Sequence, residues 1–266
     1  MQTEYPTTDI TEFSFYAVFN IGPEYNSRPQ YFHYTNLDNI GFILKDDHID
    51  LRLTRADYLA DTAEMRHIIP VVEDACTDLL QQGAIDREFC HRIKVCLSGS
   101  EPFIEEFRKY YVFCMSANGD ATYLKENYAC KGGKDGAIIG IQGLAFEDIQ
   151  FAKDGEKEKP VFGINIYDVI YSGEKLKKDF CKIFMQLYEM NDGNAESREA
   201  IERVVKTMIT YALVYKSSIF SKEEETRVVI DIARLTLPEE KYYQDDNRYL
   251  HILLPKNSLC EMKKIP

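Results

Sequence analysis

The sequence predicts an α+β fold on two observations. Segments with the alternation and the β-branched or aromatic composition of strands stand near both ends of the chain, and a block of helical periodicity lies between them. Strand and helix candidates do not alternate regularly, which argues against a doubly wound parallel sheet. The chain has 266 residues, of which 45% are hydrophobic, so it can bury one large core. We therefore predict one globular domain over residues 1–266.

Strands dominate the prediction for the first part of the chain. Residues 13–20 are aromatic and alternate, which is typical of a first strand or of an N-terminal lead-in. Residues 31–35 are predicted to form a short strand, after which Ile40 and Ile43 follow at helical spacing. Residues 49–54 alternate between apolar and polar side chains and are predicted to form the next strand.

A run of helices is predicted between residues 58 and 110, and we interpret this segment as a helical insertion or layer. Helical periodicity covers residues 60–82, 86–96 and 102–109. Pro70 lies inside the first of these helices. Its ring and missing N–H are expected to kink that helix or to split it in two.

The second half of the chain mixes both kinds of element. Strands are predicted at residues 111–115, 137–142, 161–172, 225–231 and 249–254, and helices at residues 121–130, 174–189 and 195–215. Polar residues 154–159 are predicted to be flexible, and residues 191–194 have strong turn chemistry.

Charge and cysteine content limit the class of protein. A formal net charge of -12 argues against broad, unspecific attraction to nucleic acid or to an anionic membrane, although it leaves room for a local basic patch. No apolar run approaches the roughly 20 residues that span a bilayer, so we expect a cytoplasmic protein without a membrane partner. The seven cysteines are scattered without any Cys-x-x-Cys pair, so we expect reduced thiols and no metal site.

Common nucleotide, hydrolase and metalloprotease motifs do not occur in the sequence. The stretch Lys131-Gly132-Gly133-Lys134-Asp135-Gly136 is rich in glycine and basic, so it could cradle a phosphate. A hairpin or helix-end loop is the commoner structure for such a stretch and is the alternative that we prefer.

Three acidic residues run directly into the predicted strand at residues 225–231. Strand alternation places Glu223, Glu225 and Arg227 on one face, opposite Thr226 and its alternating neighbours. If that face lines a cleft, the carboxylates can stabilise positive charge or accept a proton; if it faces water, it is the solvated edge of a sheet. Both alternatives stay open on this stretch alone.

His33 is the best placed of the five histidines, because it stands at the end of a short strand directly before a helix. Such positions often bind ligands, since backbone amides and a favourable dipole are available there. The alternative is a histidine packed between the aromatic side chains of Phe32 and Tyr34.

Several short motifs occur in a fixed order between about residues 31 and 230. They are Phe32-His33-Tyr34-Thr35, Leu51-Arg52-Leu53-Thr54, Val112-Phe113-Cys114-Met115-Ser116, Asn127-Tyr128, Gly136-Ala137-Ile138-Ile139-Gly140, and finally Lys216, Phe220, Glu223, Glu225 and Arg227. Together they resemble a large bacterial family known as domain of unknown function 2971.

That family in turn resembles a distant branch of the ADP-ribosyltransferase fold, whose pattern is a His on the first core strand, a Tyr or Ser in the middle and a Glu near the end. The resemblance implies a mixed or antiparallel split β-sheet core, with residues 58–110 as a helical insertion or layer and with flanking helices. It also implies NAD as the substrate and no metal.

Residue roles follow from the same resemblance. His33 and Thr35 would hold the nicotinamide-side ribose and amide of NAD, while Tyr128 would stack on or flank the nicotinamide. Ser116 would line the same cleft. The implied cofactor-binding set is His33, Tyr34, Thr35, Arg52, Ser116 and Tyr128.

The implied catalytic residues are Glu225, Glu223 and Tyr128. Breaking the bond between nicotinamide and ribose builds positive charge on the ribose, and Glu225 would stabilise that charge or take the acceptor's proton. Glu223 would orient the acceptor. Arg227 would keep both carboxylates ionised, or would form a structural ion pair on that face.

The chain departs from the family at two places. The usual Asn-Asp-Pro-x-Glu motif corresponds here to residues 60–64, in which Asp61 and Glu64 remain as possible supporting acids. The family also carries a Trp before the middle Tyr, whereas this chain has no Trp and has Leu124 and Lys125 in that neighbourhood.

The resemblance implies an NAD-dependent mono-ADP-ribosyltransferase, of the kind found among bacterial toxins and phage-defence effectors. Its partners would be a macromolecular acceptor, either protein or nucleic acid, and an antitoxin or other neutralising protein. An NAD glycohydrolase that uses the same pocket and a non-catalytic NAD-binding or antitoxin-like module are the alternatives. Residues 58–110 lie outside the matched motifs for most of their length and are a candidate specificity or partner surface.

Overall fold

The computed structural model describes residues 28–59, 66–97, 105–147, 149, 151–153, 156–158, 164–190, 198–234, 244–245 and 248–266. The strands are β1 (Gln30–Asn36), β2 (His48–Arg55), β3 (Tyr110–Ser116), β4 (Gly136–Gln142), β5 (Phe151–Lys153), β6 (Glu156–Glu158), β7 (Ile164–Asp168), β8 (Glu225–Asp231), β9 (Gln244–Asp245), β10 (Tyr249–Pro255) and β11 (Leu259–Ile265). The long helices are α1 (Ile68–Gln81), α2 (Arg87–Leu97), α3 (Gly173–Met190) and α4 (Arg198–Val214).

Nine of these strands form one sheet, and the strand pairs within it are antiparallel. Its main path runs β11-β4-β1-β3-β2-β10-β9, while β8 pairs with β3 and β7 pairs with β8. Strands β5 and β6 form a separate two-stranded sheet. The architecture is therefore α+β, as the sequence predicts.

Strand β3 is the central strand of the sheet. Along one edge of β3 the sheet is split, because two different strands pair with its two ends. The whole of β3 pairs with β8, which occupies one edge. On the other edge, β2 pairs near the start of β3, through Thr54 and Val112, and β1 pairs only at its end, through Phe32 and Ser116. The two strands diverge between these points, so the middle of that edge of β3 faces a gap.

The sheet buries both of its faces, in different ways. Tyr111, Phe113 and Met115 of β3 belong to a cluster made almost wholly of strand side chains, which we call the strand-core face. Val112 and its neighbour Val229 in β8 point the other way, into a cluster that all four long helices share. We call this second side the helix face. Alternation along each strand separates the two sides.

A second, smaller cover lies on the helix face of β1 and β4. Residues Thr122–Leu124 form a short helical turn that continues as a π-helical turn over Lys125–Ala129. Leu124 and Ala129 pack there against Tyr34 and Ile138. The helix face therefore has two separate covers, the long helices on one side and this turn on the other.

The helices described within the predicted segment at residues 58–110 are part of the main helical layer. Helices α1 and α2 bury side chains in the same cluster as α3 and α4, as Cys76, Phe89, Phe180 and Tyr211 show. Pro70 is the third residue of α1, where a helix has no intrahelical partner for an N–H, so it does not kink the described helix. The predicted kink is therefore absent from α1, which begins at Ile68, while the alternative of a split concerns residues 60–65, which lie outside the described residues.

Most strands and helices that the sequence predicts are present with small shifts at their ends. Strand β7 is shorter than the predicted residues 161–172, and residues 156–158 are a strand inside the segment predicted to be flexible. The predictions at residues 13–20, 60–65, 102–104 and 191–194 fall outside the described residues. The sequence does not predict strands β5, β9 and β11.

The cysteines of the described part of the chain are free thiols, as the sequence predicts for them: Cys76, Cys90, Cys114, Cys130, Cys181 and Cys260. Among the described residues, no helix is both long enough and apolar enough to cross a membrane.

Phe180 tests the packing of the helical layer. Its side chain is fully buried, with its ring centroid 5.6 Å from that of Phe184 and 5.2 Å from that of Tyr211. Phe180→Ala should lower the free energy of unfolding by about 3–5 kcal/mol, because it removes this burial and leaves a cavity. Urea unfolding followed by circular dichroism measures the change.

Met185 provides the control, because it lies on the same helix and is 37% exposed. Met185→Ala should change the free energy of unfolding by less than about 1 kcal/mol. Equal effects of the two substitutions would contradict a shared helical core.

Candidate functional site

The candidate site lies on the helix face where the two covers leave the sheet open. Cross-strand pairing sets Cys114 beside Arg227 and Ser116 beside Glu225. Cys114 is exposed although Val112 and Ser116, which flank it on the same face, are buried. An exposed residue between two buried ones on a central strand marks an opening in the helix face.

Charged side chains are buried beside this opening. Glu225 is 6% exposed and Arg227 is 1% exposed. Arg227 Nε lies 2.7 Å from Glu225 Oε1, and Lys216 Nζ lies 2.6 Å from Glu225 Oε2. Arg227 Nη1 also donates to the carbonyl of Leu213 at 2.5 Å, which ties the guanidinium to the end of α4.

Glu223 also belongs to this group of buried charges, although it lies before β8 and not on the strand. Residues Ser218–Glu223 form a 3-10 turn, Glu224 then adopts a left-handed conformation at φ 44°, and β8 begins only at Glu225. Lys216 Nζ nevertheless lies 2.6 Å from Glu223 Oε2 as well as 2.6 Å from Glu225. One ammonium group therefore holds both carboxylates.

Tyr128 links this buried cluster to the solvent. Its hydroxyl donates to Glu223 Oε1 at 2.5 Å, while 46% of the residue is exposed. Tyr128 belongs to the π-helical turn, so the smaller cover supplies one wall of the opening. We call Lys216, Glu223, Glu225, Arg227 and Tyr128 the charge cluster.

The solvated-edge alternative for the acidic stretch is wrong. Strand β8 lies between β3 and β7, so it is not an edge strand. Glu223 is only 3% exposed. Within the charge cluster, two carboxylates face one ammonium and one guanidinium, so the buried charges balance.

The charges of the cluster control the ionisation of Glu225. Burial by itself would raise the pKa of this carboxyl, but the positive charges of Arg227 and Lys216 outweigh it and lower the pKa to about 2. Glu225 is therefore an anion at neutral pH and a weak base.

The other polar groups around Glu225 stay protonated. Burial raises the pKa of Tyr128 well above its usual value, and the hydrogen bond to Glu223 adds to this shift. Although solvent reaches Cys114, the surrounding protein desolvates its thiol, and this effect together with the charge of Glu225 raises the pKa of the thiol well above its usual value. Cys114 is therefore a hydrogen-bond donor to Glu225 rather than a thiolate nucleophile.

His33 lies on the opposite side of the sheet from the charge cluster. Its ring packs on Phe113 of the strand-core face, with centroids 4.6 Å apart. Its Nδ1 lies 3.1 Å from the carbonyl oxygen of Cys114, at the edge of β3 that faces the gap between β1 and β2. Burial lowers the pKa of the imidazole. The structure therefore does not bring the side chains of His33 and Glu225 into one cluster.

Thr35 and Tyr34 make hydrogen bonds within the protein. Thr35 follows His33 by one alternation, and its hydroxyl accepts from Asn39 Nδ2 at 3.1 Å. The Tyr34 hydroxyl donates to the carbonyl of Asn118 at 2.6 Å and accepts from the N–H of Ala121 at 3.0 Å. Tyr34 thus fixes the loop that follows β3.

Ser116 and Arg52 also have defined surroundings. Ser116 is fully buried, and its hydroxyl donates to the carbonyl of Glu224 at 3.1 Å, so it positions the left-handed residue before β8. Arg52 lies on β2 with its guanidinium 4.3 Å from the ring centroid of Tyr249. Asp61 and Glu64 lie outside the described residues.

A cavity of about 590 Å³ adjoins the start of β8 and is lined by Arg28, Ala117, Asn118, Gly119, Asp168, Val169, Tyr171, Glu224 and Glu225. Tyr171 accepts a hydrogen bond from the N–H of Glu225 at 2.9 Å. Asn118 Nδ2 donates to Glu224 at 2.8 Å, and Arg28 pairs with Asp168 at 2.6 Å. Sequence reasoning gave Tyr171 and Asn118 no role, because neither stands in a motif.

The Gly-rich stretch after residue 130 forms a turn at the end of the π-helical segment. This agrees with the helix-end loop that the sequence favours over a phosphate-binding loop. Gly132 and Gly133 have φ values of 77° and 73°, which side chains other than glycine rarely adopt. Lys134 pairs there with Asp38 at 3.2 Å. Within the part of the chain that the structure describes, no group of three or more His, Cys, Asp or Glu residues could hold a metal ion.

Comparisons with known protein families, with curated proteins and with solved structures find no match.

Acid unfolding tests the charge state of Glu225. Its pKa is lower in the folded protein than the ordinary 4.5, so its stabilising effect is complete above pH 4.5 and is lost as the pH falls to about 2. The shift corresponds to about 3 kcal/mol of stability at neutral pH. Glu225→Gln should remove this component, so the free energy of unfolding should fall less steeply below pH 4.5 than in the unchanged protein.

Urea titrations between pH 2 and pH 7 measure this profile. Glu88→Gln is the matched control, because Glu88 makes an exposed ion pair with Arg92 and its loss should leave the profile nearly unchanged. Identical acid profiles for Glu225→Gln and the unchanged protein would show that Glu225 is not held as a paired anion.

Proposed function

We propose that the chain is an NAD-dependent mono-ADP-ribosyltransferase of the bacterial family named above, with an ADP-ribosyltransferase-like fold. The observation that carries the proposal is the joining of Glu223 and Glu225 by Lys216 at an opening walled by Tyr128. The antiparallel sheet with a split along one edge of its central strand is compatible with this fold.

The proposed reaction uses the negative charge of the two carboxylates. The bond between nicotinamide nitrogen and ribose C1′ breaks, its electron pair leaves with nicotinamide, and positive charge develops on the ribose. Carboxylates that are already ionised and fixed stabilise that charge more in the transition state than in the ground state. Lys216 and Arg227 hold the carboxylates in place, so little reorganisation is needed when the bond breaks.

The two carboxylates have different roles in the proposed reaction, because their hydrogen-bond partners differ. Both oxygens of Glu225 are paired, with Arg227 and with Lys216, so Glu225 acts by charge. Both oxygens of Glu223 are paired as well, but one of its partners is the neutral, half-exposed Tyr128 rather than a second buried cation. Glu223 Oε1 therefore takes the proton that the acceptor loses when it attacks C1′, as the Tyr128 hydroxyl moves aside. The exposed ring of Tyr128 flanks the nicotinamide.

The proposed pocket leaves His33 and Thr35 outside direct contact with the ribose. His33 instead supports the carbonyl of Cys114, below the opening. The biological role as a toxin or phage-defence effector, and a neutralising partner, follow from the family resemblance.

A second candidate function is supported by the complete pairing of Glu225. A carboxylate whose two oxygens are both occupied by buried cations also suits a non-catalytic NAD-binding module. Calorimetry with NAD, combined with an assay for free nicotinamide, separates the two functions: heat of binding without nicotinamide release identifies the binding module. Release of free ADP-ribose without any labelled acceptor identifies an NAD glycohydrolase that uses the same pocket.

Tyr128→Phe tests the proposed catalytic role of the charge cluster. The substitution keeps the exposed ring but removes the hydroxyl that donates to Glu223. A hydrogen bond to a charged group contributes about 1.5–3 kcal/mol, so nicotinamide release from NAD should slow by about 10- to 100-fold. Chromatography of nicotinamide formed by the purified protein and a cell lysate measures the rate.

Tyr188→Phe is the control, because the Tyr188 hydroxyl also donates to a carboxylate, that of Asp86, at 3.1 Å on the distant helical layer. It should leave the rate unchanged. Equal rates in the unchanged protein and in Tyr128→Phe, or no nicotinamide release by any of the three proteins, would contradict the proposed function.

A further inference from the structure

Five side chains, three arginines and two tyrosines, lie in alternation on the surface beside the opening, with each guanidinium group over a neighbouring ring. In order they are Arg52, Tyr249, Arg248, Tyr58 and Arg55. The distances from each guanidinium carbon to the adjacent ring centroid are 4.3, 6.0, 4.8 and 4.7 Å along this order. We call this set the arginine–tyrosine ladder.

The ladder begins next to the candidate site. Thr54 of β2 pairs with Val112 of β3 and with Tyr249 of β10. The two strands diverge after the Thr54 and Val112 pair. The next residue on the helix face is Arg52 on β2 and Cys114 on β3. The floor of the opening, Cys114, and the first member of the ladder therefore lie on the helix face on either side of the gap.

The ladder is accessible and locally basic in a chain whose formal net charge is -12. Arg52 and Arg248 are exposed, and Tyr58 is 47% exposed. Asp57 pairs with Arg55 at 2.7 Å. Among the residues whose side chains the structure describes, no carboxylate lies within ion-pair distance of Arg52.

We propose that the arginine–tyrosine ladder binds single-stranded nucleic acid, and that this strand is the acceptor presented to the charge cluster. The proposal rests on the proposed function for its second part. Within the ladder, guanidinium groups lie over both tyrosine rings, so the surfaces left for unpaired bases are those that the ladder exposes on Tyr58, Arg52 and Arg248. Exposed rings and guanidinium planes stack on unpaired bases, while the edges of the guanidinium groups donate to phosphates. An acidic peptide would use the charges of the ladder but not its alternating planar faces.

The transfer step balances without a further reactant. The C1′–N bond of NAD breaks, and its electron pair leaves with nicotinamide. A nitrogen or oxygen atom of the bound nucleic acid forms the new bond to C1′, and its proton passes to Glu223. Bases in a duplex are stacked on each other, so the ladder favours unpaired strands over duplexes.

Fluorescence anisotropy with the whole chain tests binding. The probes are labelled oligouridylate and oligothymidylate of about 20 nucleotides, longer than the ~4–16 nucleotides that single-strand binding folds cover, and a duplex of the same length. We expect both single strands to bind more tightly than the duplex. Titrations at several salt concentrations should show affinity falling as salt rises, because phosphate contacts release counterions.

Arg52→Gln should weaken single-strand binding by about 5-fold or more, which corresponds to the loss of ~1 kcal/mol of stacking. It should also reduce the slope of log affinity against log salt by about 0.7, which is the value for one phosphate contact. Arg92→Gln removes the same charge from α2, where Arg92 pairs with Glu88, and should bind like the unchanged protein.

Two substitutions of Tyr58 separate stacking from other effects on the ladder. Tyr58→Leu should weaken binding by about 5-fold or more, whereas Tyr58→Phe keeps the ring and should not. Failure of the unchanged protein to bind either single strand, or equal affinities of Arg52→Gln and Arg92→Gln, would overturn the ladder as a binding site.

Adding labelled NAD distinguishes this inference from the proposed function. Label on the oligonucleotide supports both. Binding without nicotinamide release, even after cell lysate is added, supports the ladder and contradicts the transferase. Label on a lysate protein, with an oligonucleotide that is neither bound nor labelled, overturns the ladder and leaves the transferase in place.

Discussion

The sharing of one lysine ammonium by two carboxylates is the interaction on which the rest of the candidate site depends. Glu223 and Glu225 are both almost fully buried, and two unpaired carboxylates at such depth would repel each other and would be costly to remove from water. Lys216 lies 2.6 Å from each of them, and Arg227 supplies the second positive charge. Lys216 draws the carboxylate at the end of the 3-10 turn toward β8, and the hydrogen bond from Tyr128 holds its other oxygen. The lysine therefore fixes the local chain path as well as the charge balance.

This local path also explains how far the sequence predicted the site. Alternation from residue 225 onwards is correct, because β8 begins at Glu225 and its side chains point alternately to two buried faces. The sequence predicts that strand alternation also includes Glu223. This is wrong for the backbone, because Glu224 has a left-handed conformation and the strand begins only after it. Glu223 and Glu225 nevertheless meet, but through Lys216, whose backbone N–H donates to the carbonyl of Ile170, just after β7. Such a contact has no local signature in the sequence.

The split in the sheet marks a second limit of sequence reasoning. The sequence predicts a strand at residues 31–35, and β1 forms there, yet the face to which His33 points depends on how β1 pairs with β3. The two strands pair only at Phe32 and Ser116, so His33 packs on Phe113 and reaches the carbonyl of Cys114 from the strand-core face. Periodicity identifies strands and their alternation, whereas the pairing partner of each strand is a long-range property. For the same reason, the sequence does not predict the arginine–tyrosine ladder. Its residues come together through the pairing of β2 and β10, which are far apart in the chain.

The central claim is that the opening on the helix face, between the long helices and the π-helical turn, is where NAD reacts. A crystal structure of the protein with bound NAD tests this claim most directly. The account predicts that the nicotinamide ribose lies between Tyr128 and Cys114, with its C1′ turned toward Glu223 and Glu225. NAD bound instead beside His33 in the gap of the strand-core face, or crystals grown with NAD that contain none at the opening, would contradict it.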